Sequence, residues 1–166
     1  DTSGIIVIAR NQNAFDKLKN LFQIRKINKK YLAVVYGKLL QKEGVIEKPI
    51  ARAGDYRKQV IAGRKTRTKI RPAVTEYKVI KESKYFSLLE VIPRTGRMHQ
   101  IRVHLACMGN PVVGDKIYGV KNKETSEDIT RHLLCAKSLE FELEGKKYFL
   151  EAEIPEDFRE FVKKYI

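Results

Sequence analysis

Arg94-Thr95-Gly96-Arg97-Met98-His99-Gln100-Ile101-Arg102-Val103-His104 packs three arginines, two histidines and an amide into eleven positions, beside a glycine that lets the backbone turn sharply. So many cationic and hydrogen-bonding groups are costly to bury without partners. The stretch is therefore expected to face a polar, anionic partner. Residues 98–108 read as a helix entered from the Thr95-Gly96 turn and stopped by Gly109. Beyond it, Gly109-Asn110-Pro111-Val112-Val113-Gly114-Asp115 and Tyr118-Gly119 form a second cluster of turn formers, expected to support the first from behind.

Working outward, residues 74–80 and 85–92 read as strands joined by the polar turn Lys81-Glu82-Ser83-Lys84, which makes a hairpin. Residues 139–143 and 148–152 read as a closing hairpin around Glu144-Gly145-Lys146. Pro155 then starts an amphipathic helix carrying Phe158, Phe161 and Val162. Toward the other end, Gly4-Ile5-Ile6-Val7-Ile8-Ala9 is short, apolar and β-branched, as a buried strand is. Asn11 or Asn13 can cap a helix in which Phe15, Leu18 and Phe22 recur at helical spacing, with Lys17, Lys19 and Arg25 on other faces. Residues 30–37 read as a strand ending at Gly37. Hairpins predominate over crossovers, so one α+β domain with a largely antiparallel sheet is expected. Residues 48–71 hold nine Lys or Arg against one acid, Asp55. Two readings stay open for them, a solvated basic hairpin or loop and a phosphate-tracking arm.

A chain of 166 residues that is 43% hydrophobic can bury a real core. Its formal net charge of +14 favours an anionic polymer as partner, because each phosphate neutralised releases condensed counterions. A membrane surface fits less well, since no amphipathic stretch combines a cationic face with exposed aromatics. Two cysteines, Cys107 and Cys135, make no disulfide framework and sit in apolar neighbourhoods, where buried reduced thiols are expected. There is no secretory signal and no apolar run near ~20 residues, so a cytoplasmic location is the expectation. The chain opens in mid-pattern at Asp1, and a preceding segment is expected to be missing from it.

Three segments in order resemble the RluA-type RNA pseudouridine synthases. Asp1-Thr2-Ser3-Gly4 and the apolar run after it are similar to the tail of H-R-L-D-x-x-T-S-G. Lys30-Tyr31-Leu32-Ala33-Val34-Val35-Tyr36-Gly37 is similar to K-x-Y-x-A-x-V-x-G. Arg94 to His104 and the turn cluster resemble T-G-R-x-H-Q-I-R-x-H followed by G-x-P-x-x-G-D-x-x-Y-G. Small-subunit synthases, with R-x-R-Q-I-R-R-M, are less similar. The F-x-H-P segment common near the family's C-terminus is here Phe141-Glu142-Leu143-Glu144, a departure that touches a peripheral turn.

The resemblance implies the pseudouridine synthase fold, α+β with a largely antiparallel mixed sheet flanked by helices and loops. It implies that uridine in structured RNA is isomerised: the C1′–N1 bond breaks, the held base rotates, and C5 joins C1′. Ribosomal RNA is the first expectation for substrate and transfer RNA the second. Nothing is oxidised and no group leaves the site, so neither a cofactor nor a metal is called for. His99, His104 and Cys107 are spaced unlike any common zinc site.

By the same resemblance Tyr31 stacks on the extruded base and Arg102 pairs with the catalytic carboxylate, while Ile101 walls the pocket. Arg94, Arg97, His99 and Gln100 are expected to face RNA, and His132 to be structural. Counting back from Thr2 places the family's aspartate two positions before Asp1, outside this chain, and leaves Asp1 at an ordinary variable position. Whether that aspartate acts as nucleophile or general base stays open, as does an upstream S4-like RNA-binding domain. The alternative is a non-catalytic basic RNA-binding module that kept the fold.

Overall fold

A computed structural model describes residues 1–54, 57–119 and 129–166 of the chain. In chain order the elements are β1 (Ser3–Gly4), α1 (Gln12–Gln23), β2 (Ile27–Tyr36), β3 (Glu43–Glu47), β4 (Ile50–Arg52), β5 (Gln59–Ile61), β6 (Val74–Glu82) and β7 (Phe86–Pro93). α2 (Gln100–Cys107), β8 (Leu134–Leu143), β9 (Lys146–Glu151) and α3 (Glu156–Tyr165) complete them. The main sheet runs β1-β8-β2-β7-β6-β3, with β9 also paired to β8, while β4 and β5 pair separately. β1 lies parallel to β8, and every other described ladder is antiparallel. The expected α+β class and its mostly antiparallel sheet are present.

Strand periodicity divides the core. Ala33 and Val35 of β2 join Leu89, Val91, Leu134 and, from α2, Ile101 and Leu105 on one face. Val34 and Tyr36 point the other way, onto Leu133, Cys135 and the Phe158 and Phe161 of α3. Each buried Val, Leu, Ile or Phe among them contributes about 1.5–3 kcal/mol of transfer free energy. Tyr31 shares parity with Ala33 and Val35, so the pleat sets it on the face that α2 covers.

Both hairpins form where expected. The β8–β9 hairpin turns through Glu144 and Gly145, at φ 54° and 76°, the left-handed pair that matches strand twist. Asn11 caps α1, its side-chain oxygen accepting from Ala14 N at 2.8 Å, and Pro155 occupies the N-cap of α3. The basic stretch over residues 48–71 folds partly as the β4–β5 pair, although Asp55 lies outside the described residues. β3, unforeseen in the sequence, adds an edge ladder to β6. Among the described residues no helix is long and apolar enough to cross a membrane.

The strand expected over residues 4–9 is shorter than read. Ser3 and Gly4 pair with Cys135 and Ala136, and Ile5 N donates to Ala136 O at 3.1 Å. From Ser138 onward β9 holds that edge of β8, so the chain after Ile5 has no ladder to join. Ile5 and Val7 pack on Ile27, Leu139 and Phe141, whereas Ile6 and Ile8 are 80% and 75% exposed. Of the two cysteines Cys135 is buried, but Cys107 is half-exposed with Lys48 Nζ 3.2 Å from its sulfur.

Gly4 makes the parallel contact possible. Its φ is +100°, and a Cβ there would stand 2.2 Å from Ala136 O. Gly4→Val should therefore lower the unfolding free energy by about 1–3 kcal/mol or more in chemical denaturation, through steric displacement of β1.

Candidate active site

β2, β8, α2 and the N-terminal segment meet around a cleft of about 700 Å³ whose lining includes Asp1, Thr2, Tyr31, Ile101, Arg102 and His132. Tyr31 enters it from β2, where it is registered between Val91 of β7 and Ala136 of β8. The β2–β8 register shifts between Lys30 and Tyr31, and such a bulge re-aims the side chain beside it. The ring is half-buried against the α2-side core, and burial pushes its hydroxyl above the usual phenol value. At neutral pH it is an uncharged, flat surface with a proton to give. Ile101, 6% exposed, belongs to that core and also lines the cleft.

Arg102 is held from behind. Its Nε and Nη2 donate to Oδ2 and Oδ1 of Asp115 at 2.6 and 2.7 Å, with side-chain exposures of 9% and 0%. The same Asp115 Oδ1 accepts the N–H groups of Ile117 and Tyr118, which ties the arginine to the turn. Burial works against this carboxylate, but the Arg102 bonds and the two turn amides outweigh it and hold its pKa below the ordinary value. The Tyr118 ring lies 5.3 Å from the guanidinium carbon, and its hydroxyl accepts from Gln59 N at 2.8 Å. Gly114 permits the turn at φ +76°, where a Cβ would meet Arg131 O at 2.1 Å. Among the described residues Asp115 is the one hydrogen-bond partner of the Arg102 guanidinium. Three of its five N–H groups are left to serve the cleft.

The anionic partner expected for the arginine-rich stretch is, for part of it, internal. Gln100 is 3% exposed and spends its amide inside: Oε1 accepts from Thr95 Oγ1 and Arg97 N, and Nε2 donates to Val74 O and Thr75 Oγ1. It fixes the turn, and its amide is taken up by these internal bonds although the residue lines the cleft. His104, fully buried, bridges Thr75 Oγ1 and Lys48 O at 2.9 Å each. Arg94 points away from the cleft and forms a two-pronged pair with Glu76 at 2.6 and 2.7 Å. Arg97 and His99 do line it, Arg97 half-buried with Nε on Pro72 O. His99 holds the left-handed N-cap of α2 at φ 56°, its Nδ1 3.1 Å from Tyr118 Oη.

His132, expected from the sequence to be structural, also lines the cleft, with Nε2 2.8 Å from Thr2 Oγ1. Burial, reinforced by the Arg102 guanidinium, lowers its pKa to about 4. It is neutral at pH 7 and anchors the Thr-Ser-Gly segment, which Ser3 Oγ also ties to Leu134 O. No spacing rule marks it, because its role depends on β1 and β8 meeting. As pH falls from about 6.5 toward 4 the unfolded chain binds the proton first, so stability is lost over that window, by up to about 3 kcal/mol. His99 and His104 are lowered too, mainly by burial, and act in the same direction. His132→Gln should flatten, without abolishing, the fall in thermal midpoint between pH 6.5 and 4, as read by circular dichroism.

A planar neutral ring, a fixed guanidinium and an apolar wall thus share one cleft. Asp1 is the one acid among its described lining residues, since Asp115 lies behind the arginine. Lys29, Arg97 and Arg102 give the opening a positive field suited to phosphate.

Residues 1–107 match the family model described as RNA pseudouridylate synthase. The chain is 36% identical over 171 residues to an uncharacterised RNA pseudouridine synthase of Chlorobaculum parvum, covering 94% of this chain and 52% of that protein. It is 37% identical to ribosomal large subunit pseudouridine synthase D of Blochmanniella floridana, over 81% of this chain and 42% of the relative. Among solved structures it resembles human RNA pseudouridylate synthase domain containing 1, with a TM-score of 0.78 at 26% identity, covering 87% of this chain and 62% of that one. The chain spans about half the length of the curated relatives it matches.

Proposed function

This chain belongs to the RNA pseudouridylate synthase family, on its RluA-type branch, and from that premise we propose that the whole protein isomerises specific uridines to pseudouridine in structured RNA. The observation that carries the proposal is the convergence of Tyr31, Arg102 and the N-terminal segment on one cleft. Ribosomal RNA is the first candidate substrate, in line with the printed name of the Blochmanniella relative.

In this reading a target uridine leaves its stack and enters the cleft, where Tyr31 offers its ring as the stacking surface. Stacking of this kind contributes about 1–3 kcal/mol and frees the base to rotate in plane. The carboxylate comes from the residue two positions before Asp1, the place that the Thr-Ser-Gly register gives it. Arg102, with three N–H groups to spare, keeps that carboxylate ionised and oriented as the C1′–N1 bond breaks. The Asp115 clamp limits the guanidinium to one orientation, so its organisation precedes substrate binding. Once C5 has bonded to C1′, the C5 proton is lost to a base or to water and N1, freed from C1′, takes up a proton, so that the product is an isomer of the substrate. The β4–β5 basic segment tracks phosphates outside the cleft, and Arg97, which lines it, meets them at the opening.

The test is release of tritium from RNA labelled at uridine C5, using the full-length encoded protein. Release from ribosomal or transfer RNA is expected, since that hydrogen must leave. No release across either pool, with RNA binding intact, favours the non-catalytic binding module.

A further inference from the structure

A second cleft, of about 570 Å³, opens beside the first between α1 and the Arg94–Arg97 turn. Phe15, Leu18, Phe22 and Ile27 form its apolar floor, and among the described residues no acid lines it. Lys19, Arg25, Lys29, Arg94 and Arg97 stand around that floor. Arg94 is paired with Glu76 and Arg97 Nε donates to Pro72 O, whereas Lys19, Arg25, Lys29 and Arg97 form no ion pair among the described residues. Phe15 and Phe22 are 49% and 47% exposed, flat faces left uncovered on a helix that carries no fully buried residue. The amine of Lys29 lies 6.0 Å from the Phe22 ring centre, and that of Lys19 lies 5.7 Å from Phe15. Aromatic faces interleaved with cations match a single-stranded nucleic acid, whose bases stack and whose phosphates pair.

Two further observations tie this cleft to the first. Lys29, Thr95, Gly96 and Arg97 line both, so a strand occupying one runs directly into the other. Arg25 is held at φ 59°, a left-handed conformation costly for any residue with a Cβ and free for glycine. The helix end accounts for it: Arg25 N donates to Phe22 O and Lys26 N to Leu21 O, a C-terminal turn that sets the Arg25 side chain at the cleft.

We propose that the second cleft binds the nucleotide adjoining the target uridine, its base stacked on Phe22 and its phosphates held by Arg25, Lys29 and Arg97. The ligand class is unpaired RNA, extending the site by one unstacked base. The proposal rests on the RNA-modifying reading of the neighbouring cleft. It requires that the substrate be opened at two consecutive positions, which restricts targets to loops, bulges and distorted helices.

The test uses pentauridylate as probe and the full-length protein, with affinity read by fluorescence anisotropy over a salt series. Phe22→Ala, at a half-exposed position, should fold normally and bind the pentamer about tenfold more weakly. Arg25→Gly should raise the thermal midpoint by relieving the backbone, yet weaken binding and reduce the salt slope by about 0.7. A merely structural arginine cannot produce that opposition. Lys84→Ala, on the β6–β7 turn, serves as the control for loss of a distant charge and should leave the slope unchanged. Unaltered affinity in Phe22→Ala, or an unaltered slope in Arg25→Gly, overturns the second subsite. C5 tritium release is scored separately on the same wild-type protein. Release present with both variants binding normally defeats this inference alone; release absent with both variants weakened defeats the isomerase reading and leaves the groove an RNA site.

Discussion

Asp115→Ala is expected to lower the unfolding free energy by about 3–5 kcal/mol. The substitution leaves Arg102, 8% exposed, without its counter-charge, and strips the Ile117 and Tyr118 amides of their acceptor. Removing one partner of a buried ion pair is far worse than removing both, because the remaining charge keeps its desolvation cost. The double variant Arg102→Met with Asp115→Leu should therefore recover most of the loss, to within about 2 kcal/mol of the parent. Urea denaturation of the three proteins at pH 7 separates the cases. The same pair sets an acid limit: because the Asp115 carboxyl is held below its ordinary pKa of 3.8, its contribution persists at pH 5 and goes only as pH falls through its lower folded value. A double variant as unstable as Asp115→Ala would show that the turn amides, and not the ion pair, carry the effect.

Tyr31→Ala should reduce turnover by the full-length protein about a thousandfold or more, within the range associated with loss of a positioned proton donor and a stacking platform. RNA affinity should change little, because it rests on many phosphate contacts spread over a chain of net charge +14. Tyr31→Phe keeps the ring and removes the hydroxyl, and is expected to fall between the two. The raised pKa of that hydroxyl means the phenol is protonated throughout the working range, so no inflection from Tyr31 is expected in a rate profile between pH 6 and 9. Single-turnover kinetics and anisotropy on the same preparations check both statements. Loss of turnover that only tracks loss of binding would reduce Tyr31 to a binding contact.

The sequence was most legible where local chemistry decides structure. The hairpin turn at Glu144-Gly145, the Asn11 cap, the α2 helix with its Gly109 stop and the alternation along β7 all follow from short-range rules. Tyr31 and Arg102 could be named from motifs, and strand parity explains why one cleft holds both. Legibility failed wherever a partner lies far along the chain. Gln100 is spent on Val74 and Thr75, His104 on Lys48, and His132 on Thr2, separations that no local pattern encodes. The exposed Ile6 and Ile8 failed for a related reason, since β9 takes the β8 edge that an apolar run alone seemed entitled to. The sequence marks Asp115 as a turn residue, but its grip on Arg102 depends on the fold.

In the proposed mechanism the Arg102 guanidinium, clamped by Asp115, acts on a carboxylate beside an extruded uridine. C5 tritium release by the full-length Arg102→Met, Asp115→Leu protein tests it most directly, because that variant separates folding from chemistry. Native-like unfolding, near-parental RNA affinity and no detectable release are predicted. Release at a rate close to the parent's, from a folded and RNA-bound variant, would contradict the account.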